Sequence, residues 1–261
     1  VVLHLGDYLY EYPVGYYANP VAENQFGRTV EPEHEILVLE DYRMRHGLYR
    51  TDPDLQAAHA AHPWITVWDD HEMMNNTWRT GAENHDEGEG DFFERIHAAR
   101  QAYHEWMPIR TGAEGDQGVI YRAFQIGDLA DLLMLDTRLV GRDEQLDYAK
   151  GIEQAGSVEA FIKTDLYNPK RQMLGEEQEA WLQQALQRSK ARGTTGQVLG
   201  QQVLMGKLNI PVIPPEELAK LELSEYARPR VAQTQQLAPY GLPSNLDAWD
   251  GYPAARERLF A

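Results

Sequence analysis

Four ionisable residues in succession, Asp69, Asp70, His71 and Glu72, follow directly on the apolar run Trp64-Ile65-Thr66-Val67-Trp68. Carboxylate oxygens beside an imidazole suit a divalent or trivalent cation together with a general acid. The same acids also suit the N-cap and first turn of a helix, so the motif alone leaves both readings open. A second group of similar character, Gly6-Asp7-Tyr8-Leu9-Tyr10, follows Val1-Val2-Leu3-His4-Leu5. Gly6 permits a tight turn at a strand end and leaves Asp7 projecting from the tip. Tyr10, three residues on, returns to the same place if the segment turns. A phenol titrates near roughly 10, so a metal-binding tyrosine needs a strong Lewis acid, ferric iron before zinc or magnesium. The competing reading is a turn aspartate with aromatic residues that pack a loop. Arg138, after Leu135-Asp136-Thr137, could hold a phosphate in a fork of hydrogen bonds, or pair with Asp136 or another neighbour.

The elements that must position these residues are legible from pattern. Residues 1–5 and 64–68 have the composition of short strands, the second buried on both faces, with chemistry beyond their carboxyl ends. Residues 36–49 suggest a helix with Leu39, Tyr42 and His46 on one face. Asp52-Pro53 caps a helix over 55–62 that stops at Pro63. Here His59 and His62 are packing or surface residues. Asp91 starts a helix whose Phe92, Ile96, Ala99, Tyr103 and Trp106 recur at core spacing. Residues 119–126 and 129–135 form strands joined by a Gly127-Asp128 hairpin. Glu176–Arg192 carries acids in its first turn, bases in its last and Gly193 as its stop. Residues 197–205 make another strand and 254–260 a last helix. The stretches 13–33, 77–90, 142–173 and 208–243 lack periodicity and read as a loop over the cleft, a solvated connection, a surface wrap and a variable excursion.

With 24 basic and 41 acidic residues among 261, the net charge is −17. That excludes a nucleic-acid-binding surface, which needs a basic stripe, and it makes an anionic substrate depend on locally bound cations. A hydrophobic content of 43% is globular, and no apolar run is long enough for a membrane span. The chain has no cysteine and no initiator Met, and it is read as one partial domain over 1–261.

Gly6-Asp7-x-x-Tyr10 followed by Asp70-His71-Glu72 resembles the metallophosphatase pattern in which Tyr replaces the second acid, as in purple acid phosphatases. The words 4–12, Trp68-Asp69-Asp70-His71-Glu72, Leu135-Asp136-Thr137-Arg138 and Trp249-Asp250-Gly251-Tyr252-Pro253 are similar to the PhoD family of alkaline phosphatases and phosphodiesterases. The resemblance implies an α/β (α+β) fold, a two-sheet β sandwich flanked by helices, incomplete here. It implies hydrolysis of small phosphate mono- or diesters with Fe3+ and Ca2+, in a periplasmic or secreted protein. Asp7 would bridge two ions, Tyr10 would bind the ferric ion, and Asp70 would stand at a metal-binding position. His71 would orient the ester or protonate its leaving oxygen, with Arg138 assisting. Asp69 and Glu72 would fix His71 and the ligands. Further ligands would precede Val1 and follow Ala261, so the piece is expected to be inactive alone. A glycosidase with an acid pair, or an acidic metal-binding module without turnover, are the rivals.

Overall fold

In the computed structural model, residues 1–16, 20–110, 118–225 and 227–261 are described. They form two compact units. One comprises Val1–Glu144 with Gln172–Gln202, the other Gln145–Arg171 with Val203–Ala261.

The first unit is mixed α/β with two small sheets. Strands β1 (Val2–His4) and β2 (Trp64–Thr66) pair in parallel, with Val2 opposite Trp64 and His4 opposite Thr66. Strands β3 (Arg122–Ile126), β4 (Ala130–Met134) and β5 (Gly196–Gly200) lie in that order, β3 antiparallel and β5 parallel to β4. All five are shorter than the apolar runs suggest. Trp64 and Ile65 are only half-buried, which corrects the expectation of a strand buried on both faces.

Helix Leu39–Tyr49 begins three residues later than its pattern implies, while Glu176–Arg192 matches at both ends. Asp52 accepts from the N–H groups of Asp54 and Leu55 to start helix Pro53–Ala61. Asp91 does the same for helix Phe92–Trp106 through Phe93 and Glu94. That helix buries Phe92, Ile96, Ala99 and Tyr103 against Leu9, Tyr42, Val67, Trp68, Met73 and Met74. Of these six, all but Tyr42 lie on or next to the two candidate segments, and the Tyr42 hydroxyl bonds to Met73 C=O, so the core fixes the ground on which the site stands. His59 stacks on Trp64 at 3.9 Å and His62 is exposed, as packing and surface residues should be.

Three stretches without sequence period are partly helical. Helix Pro20–Phe26 interrupts the 13–33 loop, of which residues 17–19 lie outside the described ones. Helices Tyr148–Ala155 and Val158–Phe161 and a π turn at Ile162–Leu166 occupy the supposed surface wrap. Gly151 dilutes the helical signal there because a Cβ at that position would sit 2.4 Å from the Phe161 ring. Helices Pro215–Leu218 and Ala227–Leu237 lie in the 208–243 excursion, and Pro229 falls in the first turn of the second, where proline is tolerated. In the second unit Phe161, Leu166, Ile210, Leu242 and Leu246 form a core of their own, and the chain's last helix is Pro253–Phe260.

Candidate metal centre

The parallel register of β1 and β2 brings the two chemistry-bearing segments out side by side. Val67 N–H still bonds to His4 C=O at 3.0 Å, and beyond that point both chains turn. Gly6 has φ +105°, and a Cβ on it would lie 2.4 Å from both Cβ and N of Asp69. Only glycine lets the two tips approach this closely. Asp7 itself is left-handed at φ +58°, a conformation aspartate tolerates better than most residues.

No helix begins at Asp69–Glu72, which removes the capping reading of these residues. The chain instead folds into a turn in which Asp70 C=O accepts from Met73 and Met74 N–H at 2.7 and 2.8 Å. Asp70 Oδ2 accepts from Asn76 N–H at 2.7 Å. As a result, ligating atoms of Asp7, Asp70 and His71 lie within 4.8 Å of one another. Tyr10 joins them, donating from its hydroxyl to Asp7 Oδ2 at 3.0 Å and stacking on the His71 ring at 4.1 Å between centroids. Four residues singled out by type therefore meet in one place.

The fifth, Arg138, is carried there by the turn after β4. Asp136 Oδ1 accepts from the N–H of Arg138 and Leu139 at 2.8 and 2.9 Å, so Asp136 shapes the turn that presents the guanidinium. Arg138 Nε donates to Asp69 Oδ1 at 2.6 Å, and its terminal nitrogen lies 3.5 Å from Asp70.

Asp69 and Glu72 act on the two tips that carry the candidate ligands, Asp69 by holding Arg138. Glu72 is fully buried and ties the two tips together, one oxygen accepting from Tyr8 N–H and the other from Asp69 N–H at 2.7 Å. His71 is held by Glu11, whose Oε2 lies 2.7 Å from Nδ1. Nothing in sequence flags Glu11, since its partner is 60 positions away. Arg45 was equally hidden. It is buried and bonds to the carbonyls of Tyr10 and Tyr12, and of Glu31 at 2.9 Å, fixing the segment that presents the tyrosine. Asn84, expected in a solvated loop, donates to Glu11 at 2.7 Å.

Charge is in surplus here. The five acids Asp7, Glu11, Asp69, Asp70 and Glu72 outnumber Arg138, His71 and Arg45, the three basic residues just described. Asp7 sits at the rim, and loss of hydration together with Asp70's charge raises its pKa. Burial pushes Glu72 up to about 8, against the two backbone donors. Burial also raises Asp69, against Arg138. For His71, burial alone would lower the pKa, but the Glu11 hydrogen bond and the charges of Asp70, Glu11 and Asp7 outweigh it and hold the ring at about 9. Asp7, Asp69, Glu72 and His71 are all shifted toward holding a proton, the response of buried acids and an imidazole among carboxylates.

A bound cation fits this donor set. Oxygen ligands at about 2.1 Å around one octahedral ion lie about 3 Å apart, close to the Tyr10–Asp7 separation. Hard carboxylate and phenol oxygens with one imidazole favour a hard ion over a thiophilic one.

Comparison with known proteins accords with this geometry. The sequence profile of the PhoD-like phosphatase family matches residues 1–261. The chain belongs to that family. It is similar to alkaline phosphatase D of Bacillus subtilis (strain 168), 36% identical over 261 residues, covering 99% of this chain and 37% of that relative. It is similar also to the solved structure of PhoD, with a TM-score of 0.72 and 34% identity, covering 99% of this chain and 42% of that one. This PhoD-like chain thus spans well under half the length of either relative.

Proposed function

We propose that the protein to which this chain belongs hydrolyses phosphate esters at a metal centre that includes Asp7, Tyr10 and Asp70, within one catalytic domain to which residues 1–261 contribute. The observation that carries this reading is the convergence of Asp7, Asp70 and His71 within 4.8 Å in a surplus of negative charge. Iron with calcium suits the set, the phenol for a hard trivalent ion and the carboxylates for calcium. Ions held there would polarise the phosphoryl oxygens and make water acidic enough to attack.

The chain's own residues do the rest. Asp7 and Asp70 supply the charge that holds the cations, and Glu72 keeps the two tips in register. His71 orients the ester or gives its leaving oxygen a proton. Arg138 adds positive charge beside Asp70 while Asp69 holds it in place. Small mono- or diesters suit the site, and the net charge of −17 speaks against nucleic acid as partner. No helix among the described residues is long and apolar enough to cross a membrane, and the periplasmic or secreted setting implied by the family belongs to this same proposal.

The test is hydrolysis of chromogenic phosphate mono- and diesters by the full-length protein with added iron and calcium. Activity that chelator abolishes is expected. Chelator-resistant hydrolysis, or none at any metal ratio, would overturn the proposal, the latter outcome with metal still bound leaving the binding-module reading. Tyr10→Phe is expected to remove any visible phenolate-to-iron absorbance, and an unchanged spectrum would dismiss Tyr10 as a ligand.

A further inference from the structure

Glu11 is a fully buried acid that the metal-holding roles above leave unused. Its Oε1 accepts from Asn75 N–H at 2.6 Å and from Asn84 Nδ2 at 2.7 Å, while Oε2 faces His71 Nδ1 at 2.7 Å. With Oε1 taken up by two N–H donors, Oε2 is the atom left to fix the His71 ring, and as a carboxylate oxygen it does so by accepting a proton carried on Nδ1. Behind Glu11 the network continues. Asn84 Nδ2 also lies 3.4 Å from Glu35 Oε1, and Glu35 takes the Arg95 guanidinium at 2.7 Å. Arg95 is buried, bonds to Glu89 at 3.0 Å and to the Tyr42 hydroxyl at 3.2 Å, and Tyr42 donates to Met73 C=O two residues beyond His71. The imidazole is clamped at its edge by Glu11 and on its face by the Tyr10 ring.

We propose that Glu11 is a positioning residue that fixes His71 with its proton on Nδ1 and so turns Nε2 toward the ester, with Asn84 holding Glu11 for that purpose. This rests on the phosphatase reading for its consequence in turnover but not for its geometry. Turning the ring over would set a carbon against Glu11 Oε2 and take from that oxygen its His71 donor. Buried partners that orient a functional imidazole typically change activity by roughly 10–100-fold when removed.

Two measurements on the full-length, metal-loaded protein test it. In protein labelled with 15N at histidine, with His71 assigned by its loss in His71→Gln, wild type is expected to show a protonated, downfield Nδ1 for His71. Glu11→Ala is expected to lose it. A His71 proton on Nε2 with bare Nδ1 in wild type would overturn the proposal whether or not the protein turns over. In kinetics, Glu11→Gln, which keeps acceptors for Asn75 and Asn84, is expected to lower kcat by roughly 10–100-fold with KM and bound metal little changed. In a His71→Ala background the same change is expected to cost nothing further. An additional loss there would mean that Glu11 acts through structure at large, and the positioning role would fall. Failure of wild type to hydrolyse any ester would instead strike the phosphatase reading and leave the spectroscopic result to decide.

Discussion

Two buried acid–arginine contacts, one in each unit, share their parts and differ in their surroundings. In the second unit Asp250 accepts from Leu208 N–H at 2.7 Å and pairs with Arg256, whose guanidinium also reaches Met205 C=O at 3.2 Å. One carboxylate meets one guanidinium, and Gly251 beside them is required because a Cβ there would strike Leu246 C=O at 1.9 Å. In the first unit Asp69 pairs with Arg138 just as closely, yet Asp70, Asp7 and Glu72 crowd the same place. The balanced pair is architecture. The unbalanced one gathers like charges that a cation would relieve under the proposed function, so the difference separates two motifs that look alike as words of sequence.

The comparison breaks most readily at Asp70. In the full-length protein Asp70→Ala is expected to lower phosphate-ester hydrolysis about a thousand-fold, roughly 4 kcal/mol of transition-state stabilisation, and to reduce bound metal while the fold persists. Wild-type metal content in that variant would remove Asp70 from the ligand set. The reverse pattern is expected at Asp250→Ala, which strands a buried guanidinium and should cost about 3–5 kcal/mol in denaturant unfolding with metal affinity retained. Loss of metal with normal stability there would erase the distinction. Gly6→Ala sharpens it from the backbone side. Its Cβ would meet Asp69 at 2.4 Å in a conformation that alanine avoids. A loss of about 2–3 kcal/mol with weakened metal binding is expected, and an unperturbed melting temperature would deny that the close approach matters.

Histidine provides the smallest contrast. His46 is buried between Tyr8 and Trp106, and neither ring nitrogen has a hydrogen-bond partner among the described residues. Burial drives its pKa down to about 3, with the Arg50 charge adding to the effect. His71, also buried, has carboxylate partners and stays high. Because the folded pKa of His46 lies below the unfolded one, the unfolded chain binds the proton first. Its contribution to stability is thus complete above the ordinary histidine value and is lost as pH falls toward about 3. Between about pH 7 and pH 5 this one group should remove about 2 kcal/mol, and His46→Phe should abolish that part of the slope. An unaltered slope in denaturant titrations would show that His46 is not buried and neutral.

Sequence made the candidate site residues legible and their support opaque. Asp7, Tyr10, Asp70, His71 and Arg138 stand at strand ends or turns, where residue type and position alone announce chemistry. The helices Phe92–Trp106 and Glu176–Arg192 were equally plain, because caps and core spacing are local. Glu11, Arg45 and Asn84 were not, since what defines each is a partner met only through the fold. Helix Tyr148–Ala155 escaped for a related reason, its Gly151 serving a ring that arrives from the next helix. The half-buried Trp64 and Ile65 show the converse, apolar composition overstating the burial of a strand with one described neighbour.

The most direct test is anomalous diffraction at the iron edge from crystals of the full-length protein loaded with iron and calcium. A peak within bonding distance of Asp7 and the Tyr10 hydroxyl, with Asp70 and His71 lining the same space, is the expected result. Iron bound elsewhere, with the Tyr10 hydroxyl still donating to Asp7, would contradict the assignment of these two strand-end segments as a metal centre.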